Sequence, residues 1–301
     1  MTDAADRTIV LAGATGDLGH RILSALVRRR VTVRALVRVG TSPAKLEAVR
    51  AAGGTPVIVD FDDGDALTRA LAGTECVVSA VNGLAPIMLG LQGRLLDASV
   101  AAGVARFIPS DFSLDFTQTR PGDNRNMDLR RAFLARADAA PIRVTSILNG
   151  AFADLLTGQA PIVLHALHRV LYWGSADQPF DFTTKDDVAD YTADAALDRE
   201  APRFLRIAGD EISPRDLAML MTRLEGRRWA LLRAGGIGRL SALIRLVRAL
   251  TPRSDAPFPP WQGMQYLRDM ASGRGKLQTL DNARYGKTEW TRAEAVLAAT
   301  V

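Results

Sequence analysis

The chain predicts an α/β protein: a doubly wound parallel sheet followed by a smaller α/β domain. Three observations carry this reading. Short apolar runs alternate with stretches of helical periodicity through residues 1–150. The runs are apolar on successive residues, as strands covered by helices on both faces are. Three glycines at G-x-x-G-x-x-G spacing stand between the first such run and the first helical stretch.

The elements follow in order. Residues 9–12 form an apolar strand, then come Gly13, Gly16 and Gly19, and a helix begins at Leu18 with Ile22, Leu23, Ala25 and Leu26 on one face. Strands are predicted at 31–37, 56–60, 76–80, 106–109 and 142–148, with helices at 43–52, 64–71, 86–102 and 125–137 between them. Strands separated by helices at these intervals imply right-handed βαβ units. Residues 1–150 then make a nucleotide-binding domain and 151–301 a smaller substrate domain, interleaved with the first. In the second part a strand is predicted at 170–173 and helices at 186–197 and 214–224. Residues 229–250 read as one amphipathic helix carrying Arg233, Arg239, Arg245 and Arg248, and 251–261 as a proline-rich loop.

The glycine turn has a physical reading. Without a Cβ, Gly13 can take a tight turn, Gly16 lets backbone approach a pyrophosphate, and Gly19 lets the helix close on the strand. N–H groups at the helix start would face the phosphates. Arg38 ends the second strand, where a version specific for NAD places an acidic residue for the ribose 2′-OH; an arginine there accommodates a 2′-phosphate. The expected cofactor is therefore NADP(H). Its contacts are assigned to Gly13, Thr15, Gly16, Asp17, Leu18, Gly19 and Arg38, with Ala80 and Asn82 at the end of a later strand. Lys45 adds a second positive charge or is a solvated helix-end lysine.

Composition bounds the rest. The chain has 301 residues, is 48% hydrophobic and carries a formal net charge of +5, nearly all from arginine, since Lys45, Lys185, Lys276 and Lys287 are the only lysines. The arginines are spread along the chain with no helix-turn-helix, zinc-finger or RNP-type pattern, so nucleic acid is not an expected partner. No long uncharged apolar run or secretory leader is visible, and the single cysteine, Cys76, lies in an apolar strand. The expectation is a cytoplasmic protein without a membrane partner or a metal, acting on a small-molecule substrate; a homodimer or a protein partner stays open.

Several separated motifs now converge. The chain resembles the NmrA-like and isoflavone reductase-like branch of the atypical short-chain dehydrogenases, on residues 13–19 (GATGDLG), Arg38, and residues 106–112 (RFIPSDF). Residues 172–174, 186–189 and 212–215 resemble its landmarks in the second domain. The resemblance implies a Rossmann-type fold and a nicotinamide cofactor, and it spans NADPH-dependent reductases as well as nucleotide sensors without turnover.

It also implies a catalytic lysine at the start of the helix preceding strand 142–148. The alignment puts Arg130 there, a departure from the family, and the Tyr-x-x-x-Lys pair of typical short-chain dehydrogenases is missing too. Arginine keeps the charge but does not release a proton at neutral pH. Ser110 is expected either to donate to a substrate oxygen or to cap a turn, and Asp111 with Asp115 to form an acid pair or a turn cap. His165 and His168 would share a helix face; His168 is the candidate to replace the missing acid–base lysine, while His165, Phe112 and Phe152 are candidates to line the substrate pocket. The leading expectation is an NADPH-dependent oxidoreductase of an apolar or aromatic carbonyl or conjugated substrate. The alternatives are an NADP-sensing regulator and a non-redox biosynthetic enzyme that keeps the fold.

Overall fold

The computed structural model describes residues 7–252 and 256–300. Two compact units share the chain. One takes residues up to Asp111, then Leu129–Ile147 and Val188–Leu205; the other takes Phe112–Asp128, Leu148–Asp187 and the chain from Arg206. The chain therefore changes unit five times.

The first unit is a six-stranded parallel sheet. Its strands and helices are β1 (Thr8–Ala12), α1 (Asp17–Arg28), β2 (Thr32–Arg38), α2 (Pro43–Ala51), β3 (Thr55–Val59), α3 (Gly64–Leu71) and β4 (Cys76–Ser79). A π-helical turn (Pro86–Leu91) then runs into α4 (Gln92–Ala101), followed by β5 (Arg106–Ile108), α5 (Arg125–Ala139) and β6 (Arg143–Val144). The strand order is β3-β2-β1-β4-β5-β6, every pair parallel. This is the doubly wound order that reverses beside β1.

Local sequence explains the elements. Ile9, Val10, Leu11 and Ala12 have no exposed surface, so both faces of β1 are covered. Ile22, Leu23, Ala25 and Leu26 turn one stripe of α1 inward. Asp63 starts α3 by accepting from the Ala66 N–H at 2.9 Å. Val10, Leu36, Val77, Leu95 and Phe107 belong to one core layer, with Phe133 of α5 packed 6.3 Å from Phe107 between ring centroids.

Two predicted elements of this unit are each divided. The helix expected at 86–102 opens with a π turn, and the strand expected at 142–148 breaks at Thr145. There the chain changes partner: the Thr145 N–H donates to Phe107, while the Ser146 N–H donates to Arg203. The strand resumes as β7 (Ser146–Leu148).

The second unit begins its sheets with β8 (Ala151–Phe152), β9 (Val163–Leu164), β10 (Arg169–Trp173) and β11 (Phe180–Thr183), after which α6 (Lys185–Leu197) leads into the first unit. Beyond β12 (Phe204–Arg206) come β13 (Asp210–Ile212), α7 (Pro214–Glu225), β14 (Ala230–Gly235), α8 (Ile237–Leu250), α9 (Pro260–Ala271) and α10 (Ala293–Ala298). β11 lies between β8 and β13, and β10 between β14 and β9. α7 is closed by a capping box in which Ser213 and Asp216 satisfy each other's backbone N–H groups.

Three readings in this unit need correction. Residues 229–250 are not one helix: Ala230–Leu232 pair in parallel with Arg169–Leu171, and the helix starts only after Gly236. The apolar residues that carry the helical periodicity, Ile237 to Leu250, are helical, while the third before them is a strand. Part of the loop expected at 251–261 is already helical from Pro260, while residues 253–255 lie outside the described chain. His165 and His168 do not share a helix face. Val163 and Leu164 pair antiparallel with Val170 and Arg169, so the histidines sit in the tight connection between β9 and β10, with His168 at φ +49°. No described helix is long and apolar enough to cross a membrane.

Candidate functional site

The glycine turn divides its labour by position. Gly13 has φ +93°, and a Cβ there would stand 2.5 Å from the Ala80 carbonyl oxygen at the end of β4. A Cβ on Gly19 would stand 2.0 Å from the Gly13 carbonyl oxygen, so the helix lies directly on the turn. Both contacts are backbone against backbone and leave no room for any side chain. Gly16 differs: its Cβ would meet only the Gly13 oxygen at 3.4 Å, an ordinary contact. The protein itself does not need a glycine there.

Gly16 is also the N-cap of α1, in extended conformation and with no side chain to satisfy the first-turn N–H groups. The helix start is thus an uncapped donor set with space in front of it, the arrangement that accepts an anion. Ala14, Thr15, Gly16, Asp17, His20, Arg21, Lys45, Ala48 and Val49 line a cleft of about 500 Å³. Lys45 brings an exposed ammonium to that cleft from the first turn of α2. Asp17 accepts from Arg21 Nε with its carboxylate at 2.8 Å. Arg38 is exposed at the end of β2, where its carbonyl accepts from the Thr41 N–H and hydroxyl.

Beyond the carboxyl ends of β4 and β5 a second set of groups meets. The Ser110 hydroxyl donates to the Val81 carbonyl at 2.6 Å, so its hydrogen is committed to the backbone. Gln92, fully buried at the start of α4, accepts with Oε1 from both the Ser79 hydroxyl and the Ser110 N–H, each at 2.8 Å. Sequence reasoning missed Gln92. Its one signal was an amide in the inward, otherwise apolar face of a helix.

Arg130 lies in α5, which starts at Arg125 as the sequence predicts. It is buried, and its charge acts on Asp111, which is wholly buried and accepts from the Ser146 hydroxyl at 2.7 Å. Arg203 donates to the same hydroxyl at 2.8 Å. Burial pushes the Asp111 carboxyl above the ordinary carboxylate range, against the pull of the Ser146 bond and of Arg130 and Arg203. Arg130 therefore helps neutralise a buried carboxylate.

The remaining candidates lie in the second unit. Phe112 is buried. Phe152 is half-buried, with Lys185 Nζ 5.9 Å from its ring centroid; Lys185 also pairs with Asp154. Asp115 is held by Arg206 at 2.9 Å and caps the turn at Thr117, which takes up its charge. His165 and His168 each set an edge against the Trp229 indole, 5.5 Å between centroids, and lie 3.8 and 4.0 Å from the Glu225 carboxylate. Among the described residues no three potential ligands gather as a metal site.

The sequence pattern of the NmrA-like family matches residues 5–234. The chain belongs to the NmrA-like family. Among relatives, this NmrA-like chain is 30% identical over 237 residues to the isoflavone reductase homolog IRL of Zea mays, covering 73% of this chain and 74% of that protein. It is 31% identical to quinone oxidoreductase 2 of Escherichia coli strain K12, covering 70% and 68%. In three dimensions it superposes on an isoflavone reductase crystal structure with a TM-score of 0.82 at 19% identity, covering 98% of this chain and 99% of that one. A leucoanthocyanidin reductase–NADPH complex from Vitis vinifera gives 0.79 at 19% identity, covering 97% and 99%. These superpositions establish the Rossmann-type fold of the NmrA-like chain.

Proposed function

We propose that this protein is an NADP(H)-dependent oxidoreductase acting on a small apolar or aromatic carbonyl or conjugated substrate. The observation that carries the reading is Gly16: an uncapped helix start with open space in front of it, at a position where only a ligand calls for glycine. Gly13 and Gly19 give that start its shape, and Arg38 and Lys45 supply cations on the β2 side. A pyrophosphate fits the α1 N-terminus, and a 2′-phosphate fits a guanidinium at a strand end where the sequence has no acidic residue. The relatives named as isoflavone reductase homolog and quinone oxidoreductase support a reductive use.

When bound, the nicotinamide would supply hydride to the substrate. The chain's own residues then bind and orient. The α1 N–H groups neutralise the pyrophosphate, Arg38 and Lys45 the 2′-phosphate, and the strand ends at Ala80–Asn82 and Ser110 wall the far half of the site. Ser110 offers only lone pairs outward, because its hydrogen belongs to Val81; it can accept from a cofactor hydroxyl or amide but does not deliver a proton. Arg130 is tied to Asp111 and delivers none either. The proton that completes reduction is therefore assigned to His168 or to water.

The open helix start at Gly16 and the cations of Arg38 and Lys45 equally suit a second reading, an NADP-binding regulator without turnover. Oxidation of NADPH measured across quinone, enone and aromatic carbonyl panels separates them. Turnover with any member is the expected result; NADPH bound tightly but oxidised with none would establish the regulator.

A further inference from the structure

The strand order defines which half of a dinucleotide each group can reach. Arg38 ends β2 on one side of β1, while β4 and β5 lie on the other. A dinucleotide whose 2′-phosphate sits at Arg38 and whose pyrophosphate sits on α1 must lay its second half over the ends of β4 and β5. The backbone there, residues 80–83, is fixed at three points. Ala80 packs against Gly13, where a Cβ would come within 2.5 Å. The Val81 carbonyl accepts from Ser110 at 2.6 Å. Gly83 lies against Ile87 in the π turn so closely that a Cβ would stand 2.6 Å from the Ile87 side chain.

Gln92 underlies this arrangement. Burying an amide costs free energy unless its polar atoms are bonded, and an apolar residue would fill the same space without that cost. Here both lone pairs of Oε1 are used, one on the Ser79 hydroxyl of β4 and one on the Ser110 N–H just beyond β5. The two strand ends are thereby tied at one atom, and the Ser110 hydroxyl is aimed at Val81. The π turn before Gln92 adds a residue to the helix and so changes which side chain meets the sheet.

We propose that Gln92 is a positioning residue for the nicotinamide half of the cofactor: it sets the wall formed by residues 80–83 and Ser110 without touching the adenine half. This rests on the NADP(H) reading above. The test compares two probes on the same variants, NADPH and adenosine 2′,5′-bisphosphate, which carries the 2′-phosphate but no nicotinamide. In Gln92→Met, of nearly the same size, NADPH affinity should fall about tenfold, while adenosine 2′,5′-bisphosphate affinity stays within about twofold of wild type. Ser110→Ala keeps the N–H bond to Gln92 but frees the Val81 carbonyl, and should show the same split at roughly three- to fivefold. It reads out the proposal even if Gln92→Met fails to fold. Equal losses for both probes would show a general structural role, and no loss for NADPH would show that the wall does not position it; either overturns the proposal. A wild-type protein that binds adenosine 2′,5′-bisphosphate but not NADPH would also overturn it, whereas failure to bind either probe would overturn the NADP(H) reading beneath it.

Discussion

Replacing each of the three glycines by alanine should separate folding from ligand binding. Gly13→Ala forces a Cβ into a residue at φ +93° and 2.5 Å from the Ala80 carbonyl oxygen. Left-handed backbone costs about 1–2 kcal/mol and overpacking about 1–3, so the loss should be roughly 2–5 kcal/mol. At about 2–4 °C per kcal/mol the melting midpoint should drop by roughly 4–20 °C. Gly19→Ala meets backbone at 2.0 Å. Its gain in helix propensity, about 1 kcal/mol, is smaller than the cost of parting helix from turn. Gly16→Ala meets nothing closer than 3.4 Å, in a conformation any residue adopts, and should change stability by less than about 0.5 kcal/mol. Its methyl group nonetheless takes up space in the cleft that Gly16 lines and should weaken NADPH at least about tenfold. Thermal melts without nucleotide and fluorescence titration with NADPH read the two quantities separately. If Gly16→Ala melts as early as Gly13→Ala, or binds NADPH at wild-type strength, the division of roles is wrong.

Other outcomes follow from single contacts. Arg38→Asp removes a charge-assisted contact of about 1.5–3 kcal/mol, so NADPH affinity should fall roughly ten- to a hundredfold and discrimination against NADH should relax; a titration of both cofactors against the variant checks this. Arg130→Met strips a buried counter-charge from Asp111 and should destabilise by about 3 kcal/mol or more, part of which Asp111→Asn in the same chain should restore; a denaturant double-mutant cycle reads the coupling, and additive effects would refute it. Burial pushes the Cys76 thiol up to about 12. With the folded value raised, the stability it contributes is complete below the ordinary thiol range and is lost as pH climbs toward 12. A thiol reagent at mildly alkaline pH should label Cys76 only after unfolding; prompt labelling of the native protein would contradict its burial.

Residues whose meaning is local were legible in the sequence. Gly13 and Gly19 are read correctly because close backbone approach has one solution among the amino acids, and the parallel sheet follows from strands apolar on both faces, such as Ile9–Ala12. What depends on distant partners was not. Thr145 breaks a strand because Arg203, far along the chain, offers a second partner to Ser146. Residues 229–235 carry leucines that suit a helix until β10 is there to pair with them. His165 and His168 look helical only if the β9–β10 pairing is unknown. The start of α5 was legible, but what fixes it was not: Asn124, fully buried, accepts from the Met127 N–H at 3.4 Å and from Gln262 at 2.7 Å, a partner well over a hundred positions away. Gln92 needed both Ser79 and Ser110 in place before its amide had a purpose.

The most direct test is a calorimetric titration of the wild-type protein with NADPH and with NADH under the same conditions. The expected result is binding of both at one site per chain, with NADPH tighter by at least about tenfold, the value of one charge-assisted contact to a 2′-phosphate. Equal affinities for the two, or no binding of NADPH at all, would contradict the assignment of the glycine turn and Arg38 to an NADP(H) site.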